Sequence, residues 1–114
     1  MRVRVRRQPV VSLEPERPEA LDDLLVRVAG RDEEAFGRLY DAVASAVFGL
    51  VRRVVSCEER SEAVFEEVML EVWRTAGEFD PGRGRAATWI LATTHRYAVE
   101  SVRPPEVAVG ALAS

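Results

Sequence analysis

SCEERSEAVFEEVMLEVWRTAGEFDPGRG, residues 56–84, decides how this chain folds. It reads as an acidic helix, a sharp stop and a short arginine-bearing loop. Ser56 and Glu59 have the S-x-x-E spacing of a capping box, which satisfies two orphan backbone donors and predicts a helix start. Val64, Phe65, Val68, Met69, Val72 and Trp73 then recur at helical spacing and form a wide apolar stripe. Glu62, Glu66, Glu67 and Leu70 fall largely on the other side. Gly77 loosens the last turn. Pro81 ends the helix, because it has no amide proton and disfavours helical backbone at Asp80. Gly82 and Gly84 permit a tight path through the loop. A fourth helix is predicted from about Arg85 to Val102, with Trp89, Ile90, Ala92, Thr93, Tyr97, Ala98 and Val102 available for packing, and Pro104 and Pro105 end it.

Upstream the pattern is also helical. Leu21, Leu24, Leu25 and Val28 share one face of a first helix that starts near Pro18 or Glu19 and runs to Ala29, with Gly30 in the usual C-terminal glycine position. Asp32 is an N-cap, and Glu33 and Glu34 sit in the first turn where the helix dipole favours them. The second helix continues to about Val55 on a stripe of Phe36, Leu39, Tyr40, Val43, Val47, Leu50, Val51 and Val54. Arg52 and Arg53 complement the dipole at its C-terminus. No strand pattern survives, so the predicted fold is all-α: a single bundle of about four helices over residues 19–103, the first one shorter. Residues 1–18 read as a flexible tail, with alternating arginines followed by Pro9, Pro15 and Pro18. Residues 104–114 read as a C-terminal tail or the start of a linker.

Composition excludes several functions. A chain of 114 residues has room for one core. The net charge of -3 means that any contact with DNA must come from a local basic face. All sixteen basic residues are arginine, as the codon bias of a GC-rich genome would give. One cysteine, Cys57, and one histidine, His95, offer no disulfide, metal site or catalytic grouping, so no enzyme and no cofactor is expected. Cys57 is expected to be buried or half-buried. There is no apolar run long enough for a membrane span and no signal-peptide core, which predicts a cytoplasmic protein. Glu66 and Glu67 are adjacent, point apart on a helix, and read by themselves as a solvated acidic face.

The order of pieces resembles region 2 of the sigma-70 family, in the extracytoplasmic-function (ECF) group, and within it the sigma K branch. EEVMLEVWRTAGEFDPGRGRAATWILATTHRYAV looks like the family's helix, F-D-P loop, W-L pair and basic helix; DEEAFGRLYDAVASAVFGLVRRVV is similar to its first long helix. The likeness covers roughly Leu21 to Arg103. It implies a promoter-recognition module that binds RNA polymerase and acts in transcription initiation. Glu66, Glu67, Leu70, Glu71 and Arg74 would dock on the clamp helices of the polymerase β′ subunit, with Leu70 as apolar anchor. Residues 80–87 would capture a flipped base of the minus-ten element, and the helix from Thr88 onward would lie along the non-template strand.

Arg83, Arg85, Thr88, Trp89, His95 and Arg96 are the DNA-binding candidates, with Arg103 as further charge: guanidinium groups for phosphate, a planar surface for a base. Trp89 is either a stacking platform or a core anchor, and His95 either a DNA contact or a polar surface residue. The chain departs from the family pattern at Ala63, Phe65 and Glu66, and at Tyr97, Glu100 and Ser101, where more basic residues are usual. Those departures leave open a second reading, a degenerate sigma-like interaction module that binds polymerase or an anti-sigma factor without opening promoters. Ser114 is reached before any helix-turn-helix of the region 4 kind, so the sequence is either a domain of a longer protein or a short relative.

Overall fold

The buried residues of the second helix, α2 (Glu33–Val55), form one row at four-residue spacing: Ala35, Leu39, Val43, Val47, Val51 and Val55. Four residues overshoot a full helical turn by about 40°, so over five steps this row winds about 200° around the helix. Its two ends therefore cannot face the same neighbour. α2 packs against all three other helices, which are α1 (Pro18–Ala29), α3 (Glu58–Thr75) and α4 (Ala86–Val102). A short 3₁₀ turn, Ala76–Glu78, extends α3 and packs on α1. The architecture is the all-α bundle that the periodicity predicts, and no strand is present among the described residues. A computed structural model describes residues 18–104. The expectations for residues 1–17 and 105–114 lie outside the described residues.

α3 contributes Val64, Val68, Met69 and Val72 to the core, and α4 contributes Ala86, Ile90 and Ala98. Phe65 and Trp73 are half-buried rather than central. They form an aromatic seam with α2, in which Phe36 meets Trp73 edge-on at 5.3 Å and Phe65 meets Tyr40 and Phe48 at 5.5 and 5.8 Å. On α4, Ala92 and Val102 are exposed instead of packed, and Thr94 is buried in their place. Its hydroxyl is satisfied by donating to the Ile90 carbonyl at 2.8 Å.

Three turn assignments need correction. Gly30 does not take the left-handed conformation at the end of α1; Arg31 does, with φ 69°. The Asp32 amide donates to the Arg27 carbonyl and the Arg31 amide to the Val28 carbonyl, the bonding pattern of a Schellman stop. Arg31 accepts the strain because its guanidinium donates to the Trp73 carbonyl at 2.6 Å and lies over the Trp73 ring at 4.9 Å, tying the turn to the end of α3. Ser56 does not start α3. With φ 62° it is the left-handed stop of α2, so its hydroxyl caps nothing and the capping box with Glu59 is not formed. Cys57 takes the extended N-cap position, is exposed rather than buried, and provides no side-chain cap. Asp32 is an N-cap as expected, accepting from the Ala35 amide at 3.0 Å. That bond, followed by Arg27 at 3.5 Å, holds the Asp32 carboxyl below its ordinary pKa.

Candidate functional site: a loop pocket and an acidic helix face

The chain leaves the 3₁₀ turn at Phe79, which is buried, and then runs exposed from Asp80 to Arg85. Asp80 organises this segment by itself: its Oδ1 accepts from the Gly82 amide at 2.9 Å and its carbonyl from the Arg83 amide at 2.9 Å. A Cβ on Gly82 would stand 3.3 Å from that carboxylate oxygen, so a glycine suits this position. Gly84 meets open space and is not required by the path. Phe79 and Trp89 pack edge-to-face with centroids 6.0 Å apart, and together they wall a pocket of about 390 Å³. Trp89 is thus both anchor and wall. Arg83, Arg85 and Thr88 line the same pocket, together with the carboxyl-bearing Glu78 and Asp80. Neither arginine belongs to a salt bridge among the described residues. The site is therefore mixed: two guanidinium groups, two carboxylates, a hydroxyl and an aromatic wall.

The remaining two DNA candidates stand apart from this pocket. His95 and Arg96 are exposed further along α4. They share a face with Arg85, Thr88 and Ala92 at three- and four-residue spacing. Arg96 lies over the Tyr97 ring at 5.6 Å and borders a different depression, with Glu67 and Glu100. Arg103 is engaged with Glu100 at 3.6 Å. One residue that the sequence reading missed reaches the loop from far away. Asp22 on α1 accepts from the Ala86 amide at 2.7 Å, across 64 positions of sequence. It serves as the cap of α4, because Arg85 at the N-cap makes no side-chain bond.

On α3, Glu66, Glu67, Leu70 and Arg74 are exposed on one side, and Leu70 at 59% is the most exposed large apolar side chain described. Glu71 departs from this set. Its side chain is only 14% exposed, it pairs with Arg74, and it stands beside Tyr97. Burial and then the Glu71 carboxylate push the Tyr97 hydroxyl above its ordinary pKa. Leu70 also borders a groove of about 570 Å³ between α2 and α3, floored by Phe36, Tyr40, Met69 and Trp73 and rimmed by Glu33 and Glu66. Burial, then Glu66, raises the Tyr40 pKa in the same way. Phe36 and Tyr40, expected on the buried stripe of α2, are half-buried, and both line this groove. No grouping of His, Cys, Asp or Glu among the described residues could hold a metal ion.

These features sit within a recognisable family. Residues 39–104 match Sigma-70 region 2, so the chain belongs to that family. Among curated proteins it is 51% identical over 83 residues to the ECF RNA polymerase sigma factor SigK of Mycobacterium tuberculosis (strain ATCC 25618 / H37Rv) and of Mycobacterium bovis (strain BCG / Pasteur 1173P2), an overlap of 73% of this chain and 44% of theirs. It is 46% identical over 88 residues to the protein of the same name from Mycobacterium sp. (strain KMS), covering 77% of this chain and 46% of that one. The chain spans less than half the length of these relatives.

Proposed function

We propose that this domain is the promoter-recognition and polymerase-binding module of an ECF sigma factor, acting in transcription initiation. The single observation that carries the proposal is the loop pocket. It joins two guanidinium groups, in no salt bridge among the described residues, to an aromatic wall, on a chain whose overall charge is -3. That combination suits a single strand of DNA, with phosphate on Arg83 and Arg85 and one unstacked base against Trp89 and Phe79. Thr88 adds a hydroxyl at the pocket mouth, and Arg96 and His95 extend the track for the non-template strand along α4. The face of α3 bearing Glu66, Glu67, Leu70 and Arg74 is a second surface, for the β′ clamp, with Glu71 orienting Arg74 from behind. An exposed leucine in an acidic surround fits a helix-on-helix contact, the leucine as anchor and the charges selecting the partner.

Fluorescence anisotropy with a labelled, AT-rich minus-ten oligonucleotide tests the DNA half. Weak single-strand binding and little duplex binding are expected. Arg83→Ala with Arg85→Ala should weaken it and flatten the log-log salt slope by about 0.7 for each lost contact. Unchanged affinity in the double variant would rule out the loop. Glu67→Lys with Leu70→Ala should abolish co-purification with the β′ clamp and leave helicity intact. The second reading, an interaction module that binds polymerase or an anti-sigma factor without opening promoters, is favoured by one observation: Glu78 and Asp80 bring carboxylates into the loop pocket, where they repel phosphate. Absence of single-strand binding by the unaltered protein, at low salt and high concentration, would decide for it.

A further inference from the structure

We propose that Asp22 is a positioning residue that holds the DNA-facing loop closed from outside it. The inference rests on the reading of that loop as the single-strand site, and its geometric half stands without it. α4 begins at Ala86, which is fully buried, so an amide there cannot turn to water for a partner. Its own N-cap residue, Arg85, makes no side-chain bond. The carboxylate of Asp22 supplies the missing acceptor at 2.7 Å. A negative charge at the positive end of a helix is favourable in itself. The loop, residues 80–85, is thereby pinned at both ends. Phe79 is buried at its start, and Ala86 is tied to α1 at its finish. Arg83 and Arg85 lie between the two pins and Thr88 just after them, so the shape of the pocket they line depends on a carboxylate 64 residues upstream.

A consequence concerns phosphate. The start of a helix is a ready anion site, and this one opens beside the proposed DNA track. Asp22 already takes one of its amides, that of Ala86. A DNA phosphate that approaches the helix start must therefore be met by the Arg83 and Arg85 side chains, and not by the Ala86 amide. Removing Asp22 opens that position to a phosphate but releases the loop. We infer that the released loop dominates, because affinity falls in proportion to the fraction of molecules holding the competent shape.

Three measurements on the full chain test this: amide hydrogen exchange at Ala86, single-strand binding by anisotropy, and co-purification with the β′ clamp. Asp22→Ala should speed Ala86 exchange by tenfold or more and weaken single-strand binding about three- to tenfold. Clamp binding should be unchanged. Asp22→Asn keeps an oxygen that can accept the same bond, so it should stay near the unaltered protein in all three, a rescue that loss of charge alone would not give. An Asp22→Ala variant with unchanged Ala86 exchange overturns the proposal. So does tighter DNA binding, which would make Asp22 a competitor of phosphate. Equal loss in the two variants overturns it as well. If Asp22→Ala does not fold, Asp22→Asn decides: retained exchange protection and affinity support the tie, and their loss refutes it. If the unaltered protein binds no single strand, the DNA reading fails, while Ala86 exchange still reports whether Asp22 orders the loop.

Discussion

The outer face of α3 and the loop that follows it are both exposed and charged, yet they are held in place by different kinds of information. Glu66, Glu67, Leu70 and Arg74 point outward because Val64, Val68, Met69 and Val72 point inward on the same 18-residue helix. That geometry is local: burying one stripe aims the other. The loop has no such stripe. Its conformation comes from Asp80 within it, from Phe79 packed against Trp89, and from Asp22 on α1, 64 residues upstream of the amide it holds. A surface set by periodicity tolerates substitution of its exposed side chains, because none of them holds the helix. A surface set by a few directed bonds can be lost by removing a residue that never touches the ligand.

The largest expected effect sharpens the local half of this contrast, at two adjacent residues. Met69 is 2% exposed and Leu70 is 59% exposed. Met69→Ala should destabilise the fold by about 2–5 kcal/mol in urea unfolding, through lost burial and the cavity left behind. Leu70→Ala should change stability by no more than about 0.5 kcal/mol and act on clamp binding alone. Comparable destabilisation by both would mean that the outward face is not set by the stripe beneath it.

How far the sequence could be read follows the same division. The stripes of α2 and α3, the Asp32 cap and the exposed set on α3 all repeat or resolve within a few residues, and periodicity finds them. The two inter-helix turns did not resolve, because the obvious residue was not the one used. Gly30 invites the left-handed position, but Arg31 takes it, held by a carbonyl 42 residues away. Ser56 has the spacing of a cap, but with only Ser56 and Cys57 between the helices it serves as the stop of α2. Glu71 entered the exposed set through the family resemblance and not through periodicity, and it is largely covered, paired with Arg74 and beside Tyr97 of α4. Asp22 gave no signal: one carboxylate among several on a predicted helix reads as solvated until its partner is known. In the candidate site, Arg83, Arg85, Thr88 and Trp89 were legible through the loop motif and fall together, whereas His95 and Arg96 share only a helix face with them.

A medium-sized effect tests the non-local half. Arg31 and Ser56 are the two described non-glycine residues in the left-handed region, with φ 69° and 62°. Glycine relieves a strain of roughly 1 kcal/mol at either site. Ser56 makes no side-chain cap bond, so Ser56→Gly should raise the urea midpoint, by the equivalent of about 0.5 kcal/mol after the added freedom of the unfolded chain is counted. Arg31→Gly also removes the bonds to the Trp73 and Arg74 carbonyls and the contact with the Trp73 ring. It should lower the midpoint, by roughly 1 kcal/mol. The same sign for both would show that the tie from Arg31 to α3 contributes nothing to stability.

The smallest effect compares two aspartates with the same task. Asp32 caps α2 from three residues away, and Asp22 caps α4 from 64. Asparagine caps about as well as aspartate, so Asp32→Asn should keep the bond to the Ala35 amide and remove only the charge. The Asp32 pKa is lowered in the folded protein, by the Ala35 bond first and Arg27 after it, against an ordinary value of 3.8. A depressed carboxyl stabilises the fold above its unfolded pKa, and that contribution disappears as pH falls through the folded value. The unaltered protein should therefore unfold at slightly higher urea than Asp32→Asn at pH 7. The gap should stay constant down to about pH 4 and close below it. A gap that persists or widens in acid would mean that charge is not what the aspartate adds. Single-strand binding should be the same in both proteins at neutral pH, because the Asp32 cap ends no loop that faces DNA. If Asp32→Asn weakens that binding as Asp22→Ala is expected to, both caps act through general stability, and the distinction between a locally held surface and one held from a distance does not apply to this domain.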